Sequence, residues 1–147
     1  MATTARNLFS DKEKNEIMLA IASAELHSSG EIRVHIELDC KGDIMDRAAT
    51  IFKKLGMVKT HERNGVLFYL AIKPRKFAIL GDAGINKMVP ANFWEDIKAG
   101  MLASFAEGNF AQGLISAISQ TGHQLKMHFP WQKHDANELP NDISFDE

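Results

Sequence analysis

Four side chains in this sequence have the chemistry to hold a hard cation together: Glu31, Asn64, Asp82 and Asp96. Carboxylates and amide oxygens suit calcium or magnesium, which take oxygen ligands. Asp82 and Asp96 are the expected direct ligands, Glu31 a direct or water-mediated one, and Asn64 a carbonyl donor. Waters would complete the roughly six to eight oxygens that calcium takes. Each residue also has an ordinary structural role. Glu31 can solvate a strand edge, Asp82 can stabilise a turn, and Asp96 can sit on the surface. A second group, Asp39, Lys73, Arg75 and Lys76, could hold a phosphate or an acidic partner around a hairpin turn, or simply keep that turn soluble.

Better-known chemistries are absent. A cysteine phosphatase loop needs five residues between Cys and Arg; here six separate Cys40 from Arg47, and the loop glycines are missing. Asp43-Ile44-Met45-Asp46 has the wrong spacing for an aspartyl-phosphate enzyme. There is no phosphate loop, nucleophile elbow or His-Glu-x-x-His. His123 and His128 are five apart, on different faces of a helix. Asp82-Ala83-Gly84-Ile85-Asn86 lacks the spaced acids and closing Glu of a calcium loop.

The elements must bring the four candidates together. Ser10 and Glu13 form a capping box that opens a helix, with Ile17, Ile21 and Ala24 on one face. Ser28-Ser29-Gly30 is expected to end that helix, with Gly30 able to take a left-handed conformation. Ile32, Val34, Ile36 and Leu38 alternate with charged residues, which predicts a strand with one face buried and one wet. Gly42-Asp43 starts a second helix and Gly56 ends it. The unbroken apolar run Val66 to Ile72 predicts a central strand buried on both faces. Lys73-Pro74-Arg75 turns the chain into a second hairpin arm, Phe77 to Leu80. Asn92 opens a helix carrying Phe93, Ile97, Met101 and Phe105, and a last helix carries Phe110, Leu114, Ala117, Ile118 and Leu125.

The order α-β-α-β-β-α-α predicts an α/β fold, a central mixed sheet sandwiched between helices. A right-handed crossover makes the first two strands parallel, and the hairpin makes the third antiparallel. Glu31, Asn64 and Asp82 then share one end of the sheet. Asp96 lies about 80° from the core face of its helix, at about 100° per residue, and can look toward the same end.

Several motifs carry a resemblance. Ser29-Gly30-Glu31-Ile32-Arg33-Val34, Arg63-Asn64-Gly65-Val66-Leu67-Phe68-Tyr69-Leu70, Arg75-Lys76-Phe77-Ala78-Ile79, Gly81-Asp82-Ala83-Gly84-Ile85 and Gly108-Asn109-Phe110-Ala111-Gln112-Gly113-Leu114 resemble, in order and spacing, the TPM domain family. The resemblance spans roughly residues 9 to 128. It implies a sheet between helices, divalent cation binding with calcium expected ahead of magnesium, and in some members a modest phosphatase activity. Asn86 stands where the family pattern leads one to expect an acid, and Ala103-Ser104-Phe105 where a proline is common.

The chain has 147 residues, 45% of them hydrophobic, enough for one domain with a core of its own. We place that domain at residues 9–129 and read 130–147 as a disordered polar tail. A net charge of −2 removes the broad attraction that nucleic-acid binders use. The single Cys40, the absence of an apolar leader and the absence of a membrane-length apolar run point to a cytoplasmic monomer. The expected function is a divalent-metal-binding accessory domain with an unidentified protein partner. The alternatives are a weak metal-assisted phosphatase and a metal-free interaction module using Trp131 and Phe145.

Overall fold

A computed structural model describes residues 3–131, 141 and 143–146. Helix α1 (Asp11–Glu25) begins at the capping box: Ser10 accepts from the Glu13 amide, and the Glu13 side chain accepts from the Ser10 amide. Strand β1 (Glu31–Glu37) follows, then α2 (Ile44–Lys54), whose first amides donate to Asp43. Gly56 ends that helix at φ 76°, a left-handed conformation that costs glycine nothing. A 3₁₀ turn (Met57–Lys59) leads to the hairpin of β2 (Gly65–Ala71) and β3 (Lys76–Gly81). Short α3 (Ala83–Asn86), α4 (Phe93–Ala106) and α5 (Phe110–His128) complete the helices, and β4 (Ser144–Asp146) follows.

The sheet order is β3-β2-β1-β4. β1 pairs in parallel with β2, Glu31 opposite Gly65, and β2 pairs antiparallel with β3, Val66 opposite Gly81. This is the expected α/β sandwich. Alternation along the strands gives two cores. Ile32, Val34, Ile36, Val66, Phe68 and Leu70 pack against α1, α4 and α5. Leu67, Tyr69, Ala71 and Ala78 pack against Ala48, Ile51 and Phe52 of α2.

The structure departs from the sequence reading in three places. All seven residues of β1 are buried, including Glu31, Arg33, His35 and Glu37, which the alternation had assigned to a wet face. Charged residues tolerate burial only with partners; His35 and Glu37 find theirs in Tyr69, Arg47 and β4, and Glu31 lies beside Glu25. Second, Ser144–Asp146, inside the stretch read as a tail, pair in parallel with His35–Glu37. Phe145 of that strand packs on the core, with Arg6 and Lys14 at 5.2 and 5.5 Å from its ring centre. Residues 132–140, the middle of the same stretch, lie outside the described residues. Third, Gly81-Asp82-Ala83-Gly84 does not merely break the strand but opens α3. A Cβ on Gly84 would lie 2.1 Å from the Glu62 carbonyl oxygen and 2.6 Å from that of Arg63, so only glycine fits there. Asn86 ties α3 to its neighbours, donating to the Gly81 carbonyl and accepting from the Trp94 ring N–H.

Among the described residues no helix is long and apolar enough to cross a membrane. Phe68 is fully buried at the centre of β2. Phe68→Ala should cost about 3–5 kcal/mol in a denaturant titration; a loss below about 1 kcal/mol would contradict a central, rigid β2.

Candidate functional site

β1 carries titratable groups at both ends, and different elements complete each end. At the N-terminal end, register places three of the four predicted ligands together. The Glu31 amide donates to the Asn64 carbonyl at 3.5 Å, and the Asp82 amide to the Gly65 carbonyl at 2.9 Å. All three side chains are buried. Their partners differ from expectation. Asp82 spends both carboxylate oxygens on Arg63, whose Nε and Nη2 each donate at 2.8 Å. It also accepts from the Ala83 amide as the cap of α3. The Asn64 amide group donates to Ser29 Oγ at 3.0 Å and to Glu62 at 3.4 Å, while the Ser29 hydroxyl donates to Glu62. Asp96 is exposed in the first turn of α4. Glu31, Asp82 and Asp96 do not form a group of three acids with ligand atoms within 4.8 Å of one another.

Glu31 instead meets Glu25, which the sequence reading did not select. Strand β4 reaches only as far as His35, so among the described residues the first half of that β1 edge has no strand partner. Glu25, in the last turn of α1, fills the gap: its carboxylate accepts from the Ile32 amide at 2.6 Å. Its side chain also hydrogen-bonds Glu31. Burial, together with the nearby Glu31, pushes the Glu25 carboxyl up to about 8, although the Ile32 bond opposes the shift. Two carboxyl groups in contact hold one proton between them more readily than two charges. They line a cleft of about 310 Å³ with Ala22, Leu26, Ser28, Gly30, Trp131 and Asn141. One signal was available in the sequence: an acid in the last turn of a helix faces the negative end of the helix dipole.

At the C-terminal end of β1, His35, Glu37 and Asp146 converge. Their candidate ligand atoms all lie within 4.8 Å of one another. His35 Nε2 is 3.4 Å from Glu37 Oε1 and 3.4 Å from Asp146 Oδ2. The imidazole stacks on Tyr69, ring centres 6.1 Å apart. Arg47 clasps Glu37 through Nε at 3.1 and 3.0 Å and through Nη2, and the Tyr69 hydroxyl donates to the same carboxylate. Lys54 Nζ and Arg47 Nη2 each lie 3.6 Å from Asp146. Burial alone would raise Glu37; the bonds from Arg47 and Tyr69 outweigh it and hold the carboxyl at about 2. Burial lowers the His35 pKa against the pull of Asp146 and Glu37. The sequence reading assigned His35 and Glu37 to a wet face, and the partner in β4 is more than a hundred residues away. The basic turn shows no comparable convergence: Lys73, Arg75 and Lys76 are exposed, and Asp39 is also exposed, accepting from the Cys40 amide.

Comparisons with known proteins agree with this architecture. A family profile described as the TPM domain matches residues 3–124. The BA42 protein of the psychrophilic bacterium Bizionia argentinensis, solved by NMR, is 42% identical, with TM-score 0.87 over 95% of this chain and 96% of that one. Two N-terminal domains solved by NMR share the fold at lower identity. The N-terminal domain of a protein from P. gingivalis gives 21% identity and TM-score 0.67 over 86% of this chain and 83% of its own. The cg2496 protein of Corynebacterium glutamicum gives 14% and 0.64 over 81% and 75%. The comparison with curated proteins gives no match.

Glu25 makes stability depend on pH. Its folded-state value, about 8, lies above the ordinary 4.5 expected of the unfolded chain. Its contribution is therefore fully present below about pH 4.5 and is lost as pH rises through about 8. Glu25→Gln should flatten the fall in melting temperature over that interval. An unchanged pH profile in the variant would contradict the shared proton.

Proposed function

The chain belongs to the TPM domain family, and from that premise we propose that it is a divalent-cation-binding accessory domain whose ion sits in the Glu25–Glu31 cleft. One observation carries the reading: two buried carboxyl groups in contact at the wall of a cleft of about 310 Å³. Two such groups repel when both are ionised, and a divalent cation between them offsets that repulsion as a shared proton does. The donors are oxygens, which suit calcium or magnesium. Calcium is the better candidate because it accepts irregular oxygen shells, whereas magnesium demands near-ideal octahedral geometry.

In this reading Glu31, a direct or water-mediated ligand from the sequence, ligates directly together with Glu25. Asn64 and Asp82 share that end of the sheet but do not line the cleft. Asn64 fixes Ser29 and Glu62 beside it, and Asp82 locks Arg63 and the start of α3. Asp96 stands outside the site. Two carboxylates with water in the remaining positions make a weak site, in the micromolar to millimolar range of sparsely charged calcium sites. Such an affinity suits a domain that works beside a partner protein, with the ion as its conditional element.

Calcium at about ten times its dissociation constant should stabilise the fold by about 1.4 kcal/mol. Glu31→Gln should abolish the calcium-induced rise in melting temperature while leaving the metal-free protein folded. Asp96→Asn should leave the response intact. The reading fails if Glu31→Gln responds to calcium as the unaltered protein does, or if Asp96→Asn alone removes the response.

A further inference from the structure

The opposite end of β1 has different donors and a different geometry. We propose that His35, Glu37 and Asp146 form a second cation site, for a borderline divalent metal such as zinc, that fastens β4 to β1. The inference does not depend on the calcium reading, because the two sites share no residue.

Three observations carry it. The first is spacing. Zinc bonds of about 2.0–2.2 Å in a tetrahedral shell put neighbouring ligand atoms roughly 3.3–3.6 Å apart. His35 Nε2 stands 3.4 Å from Glu37 Oε1 and 3.4 Å from Asp146 Oδ2. An imidazole nitrogen favours zinc over calcium or magnesium, which prefer all-oxygen shells.

The second is the tautomer. Ser144 Oγ donates to the Val34 carbonyl at 3.2 Å, which leaves its lone pairs for His35 Nδ1 at 2.7 Å. A metal at Nε2 selects the tautomer with its proton on Nδ1, which Ser144 Oγ is placed to accept at 2.7 Å. The ion would take the place of the proton by which Nε2 otherwise meets Glu37 at 3.4 Å.

The third is the surrounding shell. Metal-ligating histidines donate their other N–H to a fixed acceptor, and ligating carboxylates are themselves held by hydrogen bonds. Ser144 does this for His35, and Arg47 and Tyr69 do it for Glu37. His35 and Glu37 are buried, whereas the Asp146 side chain is 37% exposed and gives the ion a way in. Arg47 and Lys54 also approach Asp146, so zinc competes with two protein cations and binds at moderate strength.

The site has a structural consequence. His35 and Glu37 belong to β1 and Asp146 to β4, a pairing only three residues long. A metal bridging them adds a tie that the short ladder lacks.

The test is calorimetric titration of the full chain with zinc chloride, beside amide hydrogen exchange. Asp146→Asn and His35→Gln should each weaken zinc binding at least about tenfold, in the range that loss of a ligand-shell contact produces. Cys40→Ser and Glu31→Gln should leave it unchanged. Zinc, and not calcium, should slow exchange at residues 144–146. The proposal is overturned if Asp146→Asn, on a half-exposed edge strand, binds zinc as before. It is equally overturned if Cys40→Ser alone removes binding, if zinc perturbs only His123 and His128, or if exchange at 144–146 does not change. Should His35→Gln fail to fold, Asp146→Asn and the exchange data still decide. Loss of calcium binding in Glu31→Gln with zinc binding intact would separate this site from the first.

Discussion

A row of charged side chains buried along one strand governs this molecule. Glu31, Arg33, His35 and Glu37 all lie on the same side of β1, and none is more than 6% exposed. A buried charge costs several kcal/mol unless it is paired or hydrogen-bonded. The neighbouring elements answer that demand. Arg47 of α2 and Tyr69 of β2 reach Glu37, Ser144 of β4 reaches His35, and Glu25 of α1 reaches Glu31. The opposite side of the same strand carries Ile32, Val34 and Ile36 into the larger core. One strand is therefore held by apolar burial on one face and by polar pairing on the other.

The short reach of β4 divides the two ends of that polar face. Over His35–Glu37 the strand edge is closed by backbone pairing, and the side chains gather into a compact cluster. Over Glu31–Arg33 no strand among the described residues covers the edge; the Ile32 amide donates to the Glu25 carboxylate, and a cleft lies beside it. The donors sort accordingly. The open end offers carboxyl oxygens, suited to a hard, hydrated ion, and the closed end adds an imidazole, suited to a borderline one. Both readings follow from where a three-residue strand stops.

Local features of the fold were legible in the sequence. The capping box at Ser10 and Glu13, the cap at Asp43, the left-handed Gly56 and the unbroken apolar β2 all act within a few residues, and each is where the pattern placed it. The crossover rule then fixed which strand ends coincide, so Glu31, Asn64 and Asp82 reach the same end of the sheet. Their partners were not legible. The fork between Arg63 and Asp82 depends on a turn geometry in which Arg63 takes φ 54°, and nothing in composition announces it. The contact of Glu25 with Glu31 requires α1 to cross the strand edge. The pairing of β4 with β1 joins positions about 110 residues apart through a stretch without periodicity. Alternating charges read as a wet face because solvent is the usual partner of charge; here protein groups take that place.

The central claim is that β1 carries one cation site at each end, sorted by donor chemistry. Backbone amide shifts recorded during separate calcium and zinc titrations test it most directly. The account predicts that calcium moves the amides around Glu25 and Glu31 to Ile32, while zinc moves those of His35 to Glu37 and of Ser144 to Asp146. Shifts at the same residues with both ions, or calcium shifts confined to Asp82 and Asp96, would contradict it.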